Sequence, residues 1–185
     1  MKLNKLTTAV FLSLGLASFG ANAQVENNNG SVTFTGSIID APCSISADTV
    51  HQDVELGAIS QSMLEGEGQS TPTPFTIKLE NCAFEADAGA GGGSARLNNG
   101  VSITFTGRHN DTDKSLLALD GDAAGAGVVL TDGLQKVISL GNATPLGELT
   151  QGTNNIKFYA YLKGADKTVT TGEFTSTASF TLDYD

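Results

Sequence analysis

Apolar and polar positions alternate with a period of two over much of this chain. Phe75, Ile77 and Leu79 alternate with Thr76, Lys78 and Glu80. Val101, Ile103 and Phe105 alternate with Ser102, Thr104 and Thr106, and Ile156, Phe158, Ala160 and Leu162 alternate with Lys157, Tyr159 and Tyr161. Successive side chains of a strand point to opposite faces, so each run predicts a strand with one face buried and one in water. Thr, Val, Ile and Phe also favour strands. Residues 128–130 and 137–140 are shorter apolar runs, and Asp132-Gly133 between them suits a hairpin turn.

The two ends repeat the pattern. Phe174, Ser176, Ala178, Phe180, Leu182 and Tyr184 share one parity, opposed by Glu173, Thr175, Thr177, Ser179, Thr181 and Asp183, and the chain stops at Asp185. This predicts one final strand that reaches the C-terminus with its apolar face intact, where chain ends are ordinarily polar and frayed. Near the other end, Gly30, Val32, Phe34, Gly36 and Ile38 alternate with Ser31, Thr33, Thr35 and Ser37. Either segment fits an ordinary strand paired within its own sheet, and alternation alone does not decide. Helical periodicity is short: residues 61–65 fit one turn, and residues 114–119 fit a short strand or a short helix. Gly, Asn and Asp fall between the strand runs, as in an all-β sandwich. Residues 65–74, with two prolines, and residues 86–95, with Gly89 and Gly91, Gly92 and Gly93, read as loops. The glycine cluster lacks the G-K-[ST] ending and the following helix of a phosphate cradle.

Residues 1–23 form a different kind of segment. Lys2 and Lys5 precede a mostly apolar run over residues 6–19, and Ala21-Asn22-Ala23 supplies an A-x-A cleavage pattern. This is a secretory signal peptide cut before Gln24. A membrane anchor, the competing reading, needs about 20 predominantly apolar residues. Cleavage leaves 162 of the 185 residues, enough for one domain. Loss of Lys2 and Lys5 takes the formal net charge from −10 to −12. Such a chain repels phosphate backbones, which excludes nucleic acid as a partner and leaves solubility as the simplest role of the charge.

Export changes the meaning of the two cysteines, Cys43 and Cys82. An even count behind a signal peptide reads as a disulfide formed in an oxidising compartment. A free reactive thiol is the competing reading, but neither cysteine has a C-x-x-C partner or a neighbouring histidine. A bridge closing about 40 residues contributes roughly 4 kcal/mol in the chain-entropy model.

Candidate chemistry is sparse. His51 and His109 lie among polar residues without a second ligand at metal spacing. Asn110-Asp111-Thr112-Asp113 is an acidic turn without the EF-hand pattern. No nucleophile elbow is present. The expectation is therefore no catalytic residue, no cofactor, no metal and no small-molecule substrate.

Several segments together resemble the major subunits of chaperone–usher fimbriae of the type 1, P and MR/P kind. Val32-Thr33-Phe34-Thr35-Gly36 is similar to their donor strand and Ile39-Asp40-Ala41-Pro42-Cys43-Ser44-Ile45 to their first-cysteine segment. Val54-Glu55-Leu56-Gly57 and Phe75-Thr76-Ile77-Lys78-Leu79-Glu80-Asn81-Cys82 resemble the stretches leading to the second cysteine. Gly127-Val128-Val129-Leu130 and Asn155-Ile156-Lys157-Phe158-Tyr159-Ala160-Tyr161 resemble inner strands. Gly172, Phe180 and the penultimate Tyr184 form the C-terminal signature.

The resemblance implies an incomplete immunoglobulin-like β-sandwich of six strands with one disulfide. Its layout would be a signal peptide (1–23), a donor-strand extension (24–36) and a pilin domain (37–185). A groove left by the missing strand would be filled first by a periplasmic chaperone. At the outer-membrane usher the N-terminal extension of the next subunit would replace the chaperone, building a head-to-tail filament with identical and other fimbrial subunits. The implied donor residues are Gly30, Val32, Phe34, Gly36 and Ile38, although Ile38 also fits the subunit's own first strand and Gly36 also fits a bulge or bend. The implied acceptor and chaperone-recognition residues are Gly172, Phe174, Ala178, Phe180, Leu182, Tyr184 and Asp185, the last through its terminal carboxylate. The expected location is the cell-surface fimbria, reached through the periplasm. The alternative role is a minor adaptor or adhesive subunit.

Overall fold

A computed structural model describes residues 30–84 and 99–184. The signal peptide, residues 24–29, the glycine-rich segment 86–95 and Asp185 lie outside the described residues. One compact unit spans Ile39–Asp185, and within it the alternating runs become strands.

In chain order the elements are β1 (Ser44–Ile45), α1 (Ala47–Val50), α2 (Gln61–Leu64), β2 (Thr73–Cys82), β3 (Gly100–Gly107), β4 (Asp120–Gly121), β5 (Ala126–Thr131), β6 (Ala143–Glu148), β7 (Gly152–Gly164), β8 (Phe174–Thr175) and β9 (Ala178–Tyr184). Six of these strands have six or more residues. They form one sheet in the order β1-β2-β7-β5 and a second in the order β6-β3-β9, with β4 and β8 pairing separately. Every pairing is antiparallel.

The two larger sheets share one core. Ile77 and Leu79 of β2, Phe158 and Leu162 of β7, and Val128 and Leu130 of β5 cluster with Val101, Ile103 and Phe105 of β3. Phe105 meets Phe158 edge to face at 5.1 Å between ring centroids, and Phe75 stacks on Phe158 at 5.5 Å. Both arrangements are favoured by the ring quadrupoles. Each buried aliphatic or aromatic side chain contributes roughly 1.5–3 kcal/mol, so these four strands supply the body of the core.

Cys43 and Cys82 are bonded, with Cα atoms 4.1 Å apart, and both are buried. Strict alternation from Ile77 and Leu79 would aim Cys82 at solvent. The register of β2 against β7 shifts between Leu79 and Cys82, and Asn81 sits at φ 55°. Asn tolerates the left-handed region better than most residues. The resulting bulge turns Cys82 inward.

Three sequence expectations are corrected. Residues 137–140 are not a strand. Only Val137 bridges Thr131; the Ile138 amide then donates to Leu130 O, and that of Gly141 to Phe105 O. This segment crosses from one sheet to the other, which precludes a ladder. The turn before it is longer than a two-residue Asp-Gly turn: Asp132 Oδ1 accepts from the amides of Leu134 and Lys136, each at 2.9 Å.

Residues 114–119 are neither strand nor helix. They belong to a strap in which Leu117 exchanges two hydrogen bonds with Val128 while Leu116 covers Val129 and Tyr161 on the outer face of the sheet. All six residues of β5 are therefore buried, which explains a continuous apolar run where alternation would otherwise appear. Gly127 permits this close approach, because a Cβ there would lie 2.7 Å from Leu116 Cβ and 2.8 Å from Leu117 O.

The C-terminal segment, expected as one strand, is two. Phe174 and Thr175 pair with β4, whereas Ala178–Tyr184 pair with β3. The step between them is held by the Ser176 hydroxyl, which donates to Ala118 O at 2.8 Å. Residues 30–38 adopt no regular secondary structure.

Candidate functional site

The strand β9 ends the order β6-β3-β9, so β3 occupies one of its edges and the other edge has no partner among the described residues. Its side chains alternate as the sequence predicts, Ala178, Phe180, Leu182 and Tyr184 inward and Ser179, Thr181 and Asp183 outward. The inward set is only half-buried. The residues opposite on β3 are sealed: Val101, Ile103 and Phe105 are 4%, 0% and 2% exposed. An apolar face that is closed on one strand and open on the next marks a layer of the sandwich that lacks cover at this edge. Unpaired backbone groups there make the edge a template for another strand.

A cleft of about 260 Å³ is lined by Gly57, Ile59, Leu64, Leu119, Val169, Gly172 and, from β8, Phe174 among others. Gly172 fits tightly, since a Cβ would stand 2.7 Å from the backbone of Asp122 and Ala123. Burial at the end of β9 pushes the Tyr184 phenol above its usual range. The expected acceptor residues thus fall into two groups: Gly172 and Phe174 at the cleft, and Ala178, Phe180, Leu182 and Tyr184 along β9. Asp185 lies outside the described residues. The cleft's other walls were missed in the sequence, because Ile59, Leu119 and Val169 come from segments that only the fold brings together.

Of the expected donor residues, Val32, Phe34 and Ile38 are 77%, 90% and 104% exposed. A Cβ at Gly30 or Gly36 would meet nothing within 4 Å, and neither glycine has a left-handed φ.

The candidate chemistry elsewhere is local. His109 is exposed, with Nδ1 2.6 Å from Lys114 O. Asn110 Oδ1 accepts from the amides of Thr112 and Asp113, and the Ser115 hydroxyl and amide hold the Asp113 carboxyl below its usual range. These polar atoms close their own turn.

The family model for the fimbrial protein matches residues 32–185. The chain belongs to the fimbrial protein family. This fimbrial protein is 42% identical to the Fimbria A protein of Serratia marcescens, over 100% of this chain and 99% of that one. It is 41% identical to the major MR/P fimbria protein of Proteus mirabilis, again over 100% and 99%. Among solved structures, a chain from a chaperone–usher pilus studied for rod uncoiling superposes with a TM-score of 0.72 at 31% identity, over 87% of this chain and 98% of that one. The P pilus rod subunit PapA gives 0.63 at 31% identity, over 78% and 100%. The fold of this fimbrial protein is therefore the immunoglobulin-like sandwich of pilus rod subunits, and the family is one of structural subunits.

Proposed function

We propose that this protein is a fimbrial shaft subunit that polymerises head to tail, each copy accepting beside β9 the N-terminal strand of another. The half-open inner face of β9 carries this reading. A strand added there would form ladder hydrogen bonds along the free edge and set alternate side chains into the groove. Val32 and Phe34, exposed in the single chain, would gain about 1.5–3 kcal/mol each on burial, and each ladder bond about 0.5–1.5 kcal/mol. The sum rivals the stability of a small domain. Each subunit offers a donor and an acceptor at different places, so the contact is heterologous and extends without closing.

The same open edge needs cover before assembly. A periplasmic chaperone would supply a temporary strand and grip the terminal carboxylate of Asp185, and an outer-membrane usher would pass the subunit to the growing cell-surface fimbria. The donor extension is residues 24–36, with Ile38 at its junction with the domain of residues 37–185. The role is structural and adhesive rather than catalytic.

Deleting residues 24–36 tests the proposal. The shortened subunit should still be captured by its chaperone but should enter no filament beyond a terminal position. Filaments built from it at normal length would overturn the proposal.

A further inference from the structure

Strand β2 has two edges, and side chains close one of them. β7 occupies the first edge from Thr73 to Leu79, whereas β1 reaches only Leu79 and Glu80 on the second. In an antiparallel ladder the N–H and C=O of one residue point to the same side, and the side alternates along the strand. The Ser46 amide, just after β1, donates to Lys78 O at 2.9 Å. Lys78, Thr76 and Pro74 therefore aim their backbone groups away from β7. These three rungs lie beyond the end of β1, and rungs of this kind are where a strand of another chain adds.

Each rung is blocked. The Thr49 hydroxyl accepts from the Lys78 amide at 3.1 Å and lies 3.3 Å from Lys78 O. It stands where the facing residue of a partner strand would stand and meets both groups. The Gln52 side-chain amide donates to Thr76 O at 3.3 Å and to Thr49 O at 3.1 Å. Pro74 has no N–H to offer. Lys78 and Glu80 form an ion pair on the same strand, and charge on an edge also discourages pairing. Gln52 is exposed, so its bond to Thr76 adds little to stability. What it does is occupy the rung.

The other edge of this sheet is closed by backbone instead: Leu117 exchanges two hydrogen bonds with Val128, and Val137 bridges Thr131. The free edge of β9 has no partner of either kind among the described residues. We infer that Thr49 and Gln52 act as a substitute strand that closes the β2 edge to other copies of this chain and confines strand addition to β9. The choice of β9 as the edge left open rests on the donor-strand proposal. Excluding the wrong edge in this way is specificity by blocking an alternative, not by improving the correct contact.

Filaments of the full-length chain test the seal. Those of the natural chain should lie singly in electron micrographs. Gln52→Ala should raise the share found in lateral bundles, and Thr49→Ala with Gln52→Ala should raise it several-fold, because freed rungs pair between neighbouring filaments. Thr76→Pro, added to the double variant, removes an outward N–H and should disperse the bundles again. Thr49→Ser keeps the hydroxyl and should match the natural chain. Hydrogen exchange gives a second reading: the Lys78 amide should exchange about fivefold faster in Thr49→Ala than in Thr49→Ser. Bundles no more frequent in the double variant than in the natural chain, bundles that Thr76→Pro leaves intact, or an unchanged Lys78 amide would overturn the inference. If the double variant assembles no filaments, Gln52→Ala alone decides, since it removes only exposed bonds. Filaments assembled without residues 24–36 would instead overturn the donor-strand proposal, which bundling does not test.

Discussion

Phe105 and Phe180 face each other on adjacent strands with ring centroids 6.2 Å apart, yet Phe105 is 2% exposed and Phe180 is only half-buried. The closed core ends between these two rings. Phe105→Ala should destabilise the isolated subunit by about 4 kcal/mol and Phe180→Ala by about half as much. Urea unfolding of the two variants checks the difference. Equal losses would mean that β9 is already covered.

The Cys43–Cys82 bridge closes a 39-residue separation. Replacing both cysteines with serine should lower stability by about 4 kcal/mol, mainly by freeing the unfolded chain. The denaturation midpoint of the variant, compared with that of the oxidised subunit, measures this. An unchanged midpoint would contradict it.

Thr131 is 2% exposed, and its hydroxyl has no hydrogen-bond partner among the described residues. An unpaired buried hydroxyl costs more than the methyl group that replaces it. Thr131→Val should raise stability by about 1 kcal/mol, seen as a higher urea midpoint with an unchanged slope. A lower midpoint would show that the hydroxyl is satisfied.

Burial raises the Tyr184 phenol from its ordinary value of 10.0. The folded state therefore favours the neutral form. The stability this supplies is complete below about pH 10 and is lost as pH rises through the raised folded value. Urea midpoints followed above pH 10 should fall more steeply for the natural chain than for Tyr184→Phe. Identical profiles would contradict the burial of this phenol.

Much of this arrangement was legible in the sequence because a half-buried strand writes its two faces into alternate residues. Ile77, Val101, Ile103, Phe105 and Phe158 are buried as their parity predicts. Where one strand is covered on both faces, as at Val128, Val129 and Leu130, the period disappears and only the apolar run remains. Alternation also conceals a change of partner: Phe174 and Phe180 keep one parity although they pair with different strands. Cys82 defied its parity because Asn81 inserts a bulge. The inward face of β9 was legible for the same reason as the core strands. Its incomplete cover was not, since openness depends on what lies beside a strand rather than on the strand's own residues.

The most direct measurement concerns completion of the sandwich within one molecule. Residues 24–38 are moved from the N-terminus to follow Asp185 through a short flexible linker, and thermal unfolding is compared with that of a chain that simply lacks them. The relocated strand should give a monomer that no longer polymerises and melts well above the shortened chain. Equal melting temperatures would show that the domain is already complete and would contradict the claim that another copy must finish it.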